Sequence, residues 1–319
     1  MTGCAGYIGV AAAGELIRAG HDVTGLDVVL HGQFERVREL REQGVHIVEG
    51  DIRDPSARAA GLEGADAVVH LAAIVGDPAC ALDPELAHDV NVTGSLALAA
   101  DAADRGVERF VMASTCSNYG RMSDPTVPID ESGALAPISL YAEQKVAVEG
   151  HLLALDPQPF ALTCLRFATV YGTAPRMRFD LTVNEFTRDL WADRRLEVFG
   201  EQFWRPYVHV RDAARAIAMV LEAPTPLVAG QVFNVGDSAE NYRKLDLVEQ
   251  IQRQLGRGEV AFVSRDEDPR DYKVSFDKIG ATLGFAVTMT VPAGVAELIE
   301  ALDAGEFPEP FDHRYRNSP

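Results

Sequence analysis

The feature that most narrows the fold stands at the very start of the chain. Thr2-Gly3-Cys4-Ala5-Gly6-Tyr7-Ile8-Gly9 is a G-x-x-G-x-x-G turn running straight into apolar, helix-forming sequence. Glycine first permits a tight turn, second lets the backbone approach a ligand, and third lets the helix pack closely. The first turn of such a helix offers free N–H groups and the positive end of its dipole, a seat for phosphate. A glycine turn is often no more than a turn, but here Asp27 follows 18 positions after Gly9. It ends the next strand-like run, where a carboxylate would bond the adenosine ribose hydroxyls and repel a 2′-phosphate. Gly3, Gly6, Tyr7, Ile8, Gly9 and Asp27 are therefore expected to hold a dinucleotide, NAD in preference to NADP. The plainer reading of Asp27 is a strand-end turn residue.

Apolar runs behind the turn alternate with amphipathic ones. Residues 21–27, 45–49, 67–71 and 109–114 read as short buried strands, and 9–19, 34–43, 56–62 and 84–105 as helices. This βαβ rhythm predicts an α/β chain with a Rossmann-type doubly wound parallel sheet covered on both faces. A helix at 141–155 and a strand at 161–170 follow. Beyond Tyr171 the rhythm loosens, with a strand at 231–236 and helices at 245–255 and 292–302. The expected organisation is a dinucleotide-binding domain over 1–170 and a smaller substrate-binding domain over 171–319, with about 205–236 returning to the sheet. The strand that should precede the glycine turn is absent. Met1 stands where a valine would end it, and a GTG codon supplies either residue, so an internal start is the expectation. With Met1 as the true first residue, the neighbours of the missing strand would keep unpaired backbone groups.

Composition excludes several classes. The chain has 319 residues and is 47% hydrophobic, ample for a buried core. Its formal charge of −19 disfavours a nucleic-acid surface. No apolar stretch is long enough to span a bilayer, and the first residues lack a secretory pattern, so a cytoplasmic address away from membranes is expected. Cys4, Cys80, Cys116 and Cys164 form no C-x-x-C pair, so neither a metal site nor a disulfide framework is expected.

The strongest chemical signal is Tyr141-Ala142-Glu143-Gln144-Lys145. On a helix the phenol and the amine share a face, and an ammonium lowers a tyrosine pKa toward the working pH. Upstream, Ser114-Thr115-Cys116-Ser117-Asn118-Tyr119-Gly120 ends a strand and can set a hydroxyl beside Tyr141. Asp51 and Ile52 after the 45–49 strand could edge the adenine. Leu71, Ala72 and Ala73 allow the cofactor close approach, and Asn91 lies within the 84–105 helix.

With these motifs in order, the sequence resembles the NAD-dependent epimerase/dehydratase family of extended short-chain dehydrogenases/reductases. The likeness extends through Asp130-Glu131, Leu165-Arg166-Phe167-x-x-Val170-Tyr171-Gly172, Arg205-Pro206-Tyr207-Val208-His209-Val210-x-Asp212 and Arg270-Asp271-Tyr272. The resemblance implies that Tyr141 is the acid/base, Lys145 binds the nicotinamide ribose, and Thr115 completes the triad. Arg205 and Arg270 would hold the diphosphate of a nucleotide sugar, with a surface ion pair as the plainer reading of each. Asn184 would contact the same diphosphate. A homodimer through the 141 and 84–105 helices is implied as well. In the family's 4,6-dehydratases an Asp-Glu pair follows the triad threonine; here the positions are Cys116 and Ser117, both placed at the substrate. Neither is a carboxylate, so an epimerase is expected, with a dehydrogenase or 4-ketoreductase as runner-up and a non-catalytic dinucleotide-binding protein behind both. Cys116 is either an extra acid/base or, preferably, a small buried side chain. Thr169 replaces the family's usual asparagine. Arg176 and Arg178 would read an anionic or unusual sugar, or pair with carboxylates.

Overall fold

A computed structural model of the chain describes residues 1–122, 124, 127–264 and 270–317. Strands β1 (Thr24–Asp27), β2 (His46–Glu49), β3 (Ala67–His70), β4 (Arg109–Thr115), β5 (Ala161–Phe167) and β9 (Gln231–Val235) form the main layer, every pairing in it parallel. Their inward positions are almost wholly apolar, with Phe110, Val111, Leu162, Leu165 and Phe233 buried, as a sheet covered on both faces requires. Helices α1 (Tyr7–Arg18), α2 (Phe34–Glu42), α3 (Pro55–Gly61) and α7 (Leu140–Leu153) agree with expectation to within two residues.

The slot of the missing strand is partly filled. Thr2 bridges Leu26 on one side and His70 on the other, both parallel. Thr2 donates to the Val69 carbonyl at 2.9 Å, Gly3 to Leu26 at 2.8 Å, and Leu26 N–H to Met1 at 2.8 Å. The backbone groups expected to be orphaned are therefore met at Leu26 and Val69, because Met1–Gly3 lies between β1 and β3 as a short strand would. The order across the sheet is β2-β1-(Met1–Gly3)-β3-β4-β5-β9.

Two expectations are corrected. The 84–105 helix is three pieces: α5 (Pro84–His88), a π-helical turn at Asp89–Gly94, and α6 (Ser95–Asp104). π turns often mark functional positions, and this one carries Asn91, whose carboxamide accepts from Ile74 N–H (2.7 Å) and donates to the Ile74 carbonyl (3.0 Å) and to Gln144 (2.8 Å). The 161–170 strand divides at Ala168, and its tail β6 (Thr169–Tyr171) leaves the main sheet to pair with β8 (Trp204–His209). The segment rejoining the main layer is accordingly narrower than 205–236. Helix α9 (Val210–Glu222) packs on α1 and β9 joins β5, whereas β8 sits between β6 and β10 (Asn241–Arg243) in a separate three-stranded sheet. A second small sheet pairs β7 (Leu196–Phe199) with β11 (Val260–Val263). Around these, α8 (Thr182–Trp191) and the helices Lys244–Leu255 and Val291–Asp303 enclose an apolar cluster of their own, including Phe179, Leu190, Leu247 and Leu298.

The four cysteines are buried free thiols. No helix among the described residues is long and apolar enough to cross a membrane.

Candidate active site

The glycine turn is built against the end of β3. Gly3 has φ +69°, and a Cβ there would lie 2.8 Å from Ala72 N; one on Gly9 would collide with the Gly3 carbonyl. Thr2 Oγ1 accepts from Ala72 N–H (3.2 Å), and Leu71 N–H donates to Thr2 (3.3 Å), so Leu71, Ala72 and Ala73 carry the small residues this approach demands. Gly6 caps α1 with no side-chain hydrogen bond, leaving first-turn N–H groups for a ligand. Asp27 is buried at the tip of β1, its two oxygens accepting from Ala5 N–H (2.9 Å) and Val29 N–H (2.8 Å). Burial pushes its carboxyl up, and these two N–H groups oppose the shift. A cradle that one added Cβ would fill, an uncapped helix start and an acid at the next strand's end all fit a dinucleotide.

Some expected contacts lie elsewhere. Ile52 is buried in an apolar cluster with Leu26 and Ala57. Asp51 is engaged by Arg53 (2.7 Å). The Tyr7 hydroxyl donates to the Gly172 carbonyl (2.6 Å) and so ties the glycine turn to the loop after β6.

Tyr141 and Lys145 lie one turn apart on α7, whose N-cap Ser139 accepts from Ala142 N–H. The Lys145 ammonium stands 5.9 Å from the centre of the Tyr141 ring and donates to the Ala113 carbonyl (2.9 Å), joining α7 to the end of β4. It also lies within electrostatic reach of His70, whose Nδ1 bonds Thr2 Oγ1 at 2.8 Å, so the pair borders the glycine turn. Thr115 closes β4, with its Oγ1 accepting from Ser117 N–H (3.1 Å). The lowered phenol expected at Tyr141 is reversed in this ligand-free state. Burial pushes it up, Cys80 and Asp77 add to the rise, and Arg178 is the cation that opposes it.

Lys145 itself is held down to about 8 from its ordinary 10.5, chiefly by burial. Its folded pKa lies below the unfolded one, so between those values the unfolded chain binds the extra proton and stability rises with pH. Near neutral pH the buried ammonium is a cost. Ligand-free Lys145→Met is therefore expected to melt above the wild type near pH 7, with the gap closing toward about pH 10. Paired thermal melts across that range check it, and a constant gap would refute it.

The Cys116 thiol is buried, donates to the Arg166 carbonyl (3.2 Å), and is pushed well above its ordinary range by burial. The side chain packs inward, as the preferred reading of a small buried residue expects. Ser117 instead meets the Tyr272 hydroxyl (3.5 Å). Asn184 is fully buried, accepting from Gly172 N–H (2.8 Å) and donating to the Arg178 carbonyl (2.8 Å). It fastens the loop after β6 through these two bonds.

Arg205 lies over the Tyr272 ring (5.1 Å) and donates to the carbonyls of Trp204 and Arg270, while Arg270 pairs with Asp77 at 3.0 Å. The structure thus brings Arg205 and Arg270 together. Asp77, missed in the sequence, reaches Arg270 from the first turn of α4 (Asp77–Leu82) and lies within electrostatic reach of Tyr141. No group of three metal-ligating side chains occurs among the described residues.

By fold and by this constellation the chain belongs to the NAD dependent epimerase/dehydratase family, whose model matches residues 1–236. The UDP-glucose 4-epimerase of Lactobacillus helveticus is 30% identical over 276 residues, covering 80% of this chain and 81% of its own. A dTDP-glucose 4,6-dehydratase of Streptomyces niveus is 30% identical over 323 residues, covering 94% and 91%. Among solved structures, the Thermotoga maritima UDP-glucose 4-epimerase with UDP-glucose superposes with a TM-score of 0.86 at 25% identity, covering 96% of this chain and 98% of that one.

Proposed function

We propose that the chain is a nucleotide-sugar epimerase that uses NAD, acts by transient oxidation to a keto-sugar, and returns the hydride without net redox change. The observation that carries this reading is the Tyr141–Lys145 pair on α7, tied through Ala113 to the strand that ends at Thr115. NAD held at the glycine turn and Asp27 would supply a reversible hydride acceptor for the sugar carbon. Tyr141 takes the hydroxyl proton and returns it, Thr115 orients the same oxygen, and Lys145 supplies positive charge beside the phenol and a donor to the nicotinamide ribose. Gly3, Gly6, Ile8 and Gly9 form the phosphate seat, Asp27 takes the adenosine ribose, and Leu71–Ala73 line the cofactor. Arg205 and Arg270 take the substrate diphosphate, where planar guanidinium geometry suits phosphate oxygens.

Epimerase is preferred to dehydratase because position 116 is an inward thiol and position 117 a serine, neither able to act as the acid of water elimination. The substrate is a nucleoside-diphosphate sugar, as the relatives' substrates suggest. The division into 1–170 and 171–319, a cytoplasmic setting and a homodimer through the α5–α6 and α7 helices belong to the same proposal. Purified enzyme is expected to interconvert a UDP-sugar and its 4-epimer with no cofactor added, followed by chromatography of the products. Stoichiometric consumption of added NADH with a keto-sugar, and no epimerisation, would establish the reductase instead.

A further inference from the structure

We propose that Arg176 is a clamp on the diphosphate of the bound dinucleotide, reaching it from the loop that faces the glycine turn. This rests on the reading that the turn holds NAD. The loop Gly172–Asp180 is pinned at three places, two on the start of α1 and one on α8. Tyr7 Oη donates to the Gly172 carbonyl (2.6 Å), Asn184 donates to the Arg178 carbonyl (2.8 Å), and Ala174 packs with Tyr7 and Ile8. Two residues beyond Ala174, Arg176 is 94% buried. One guanidinium nitrogen donates to the Arg316 carbonyl (3.2 Å). The other, Nη1, is buried without a hydrogen-bond partner among the described residues.

Among the described residues, the carboxylates within its electrostatic reach are Asp180 and Asp27, and each is hydrogen-bonded to other groups. Asp180 is held by Arg178 in two contacts (3.0 and 2.7 Å) and by Asn317 N–H (3.0 Å). Asp27 lies within electrostatic reach but spends its oxygens on Ala5 and Val29. The remaining charged groups facing it are cationic or weakly so: Arg178, and His31 from the segment after β1. Burial and Arg178 hold Arg176 down to about 10, the condition of a cation placed without its anion. A buried guanidinium with a spare N–H on the far wall of a phosphate-binding helix start is suited to a phosphate oxygen that the helix N–H groups leave uncovered.

The placement also separates the two arginines singled out in the sequence. Arg178 is the one within reach of Tyr141, at the sugar end, and it already has its carboxylate. Arg176 is within electrostatic reach of Asp27, which accepts from Ala5 N–H in the glycine turn.

The test uses the full chain freed of nucleotide, as wild type, Arg176→Met and Arg176→Lys, titrated calorimetrically with NAD, ADP-ribose, NADP and adenosine. Arg176→Met is expected to weaken NAD and ADP-ribose alike by roughly 10- to 100-fold, with Arg176→Lys between it and wild type. Adenosine, which has no phosphate, is expected to bind all three equally. NAD affinity within about twofold of wild type in both variants would overturn the proposal. So would an equal loss for adenosine, which would mean a packing role, or a loss confined to NADP, which would mean contact with a 2′-phosphate. Should Arg176→Met not fold, Arg176→Lys decides by the same criteria. Wild-type protein that binds no NAD would instead sink the functional reading, an outcome separate from the ratio between variants.

Discussion

Tyr141→Phe is expected to lower turnover of the accepted sugar nucleotide by about 10²- to 10⁴-fold, the usual contribution of a positioned acid/base. The substitution removes one oxygen and keeps the ring, so the buried packing of α7 and the Lys145 contact with Ala113 survive. Cofactor content should therefore be unchanged, since none of the groups around the glycine turn is altered. Kinetics with matched NAD occupancy separate the two effects. Turnover within tenfold of wild type would leave the mechanism without its proton carrier. The ligand-free phenol is raised by burial, which sharpens the expectation.

What could be read in the sequence was local in character. The glycine turn, Asp27 and the Tyr141/Lys145 pair each depend on spacing along one element, and spacing is what a sequence displays. The parallel sheet was legible for the same reason, because continuous apolar runs alternating with amphipathic ones leave few other arrangements. The rest depends on which distant segments meet. Nothing near residue 7 indicates that its hydroxyl will be spent on Gly172, 165 residues away. Asn184 looked like a ligand contact because it is a polar residue in a family position, yet full burial turned its carboxamide to the backbone. The π turn at Asn91 follows from its clamp on Ile74 and Gln144, not from any local helix breaker. Asp77 and Arg176 were illegible in role for the same cause. One acquires its partner from a segment near 270, and the other keeps one guanidinium nitrogen without a partner among the described residues.

Glu149→Ala is expected to cost about 3–5 kcal/mol of stability, the range for breaking a buried ion pair from one side. Glu149 lies one turn beyond Lys145 on α7 and is 2% exposed. Its carboxylate accepts from Arg166 Nε (3.0 Å) and from Ser114 Oγ (2.6 Å), while Arg166 also donates to Tyr119 Oη (2.9 Å). Removing the carboxylate strands a buried guanidinium and a serine hydroxyl at once, and neither can reach water without moving β4 or β5. The double change Glu149→Leu, Arg166→Met removes both charges and should recover most of that loss, because the desolvation of the two ions is then avoided as well. Activity is expected to behave differently. Ser114 precedes Thr115, and Tyr119 closes the same turn, so the neutral pair restores the melt without restoring the hold on the triad hydroxyl. Urea unfolding and turnover measured on the three proteins resolve the two contributions. A double variant recovering both in full would show that the ion pair serves packing alone, and one recovering neither would show that the charge itself holds β4 against α7.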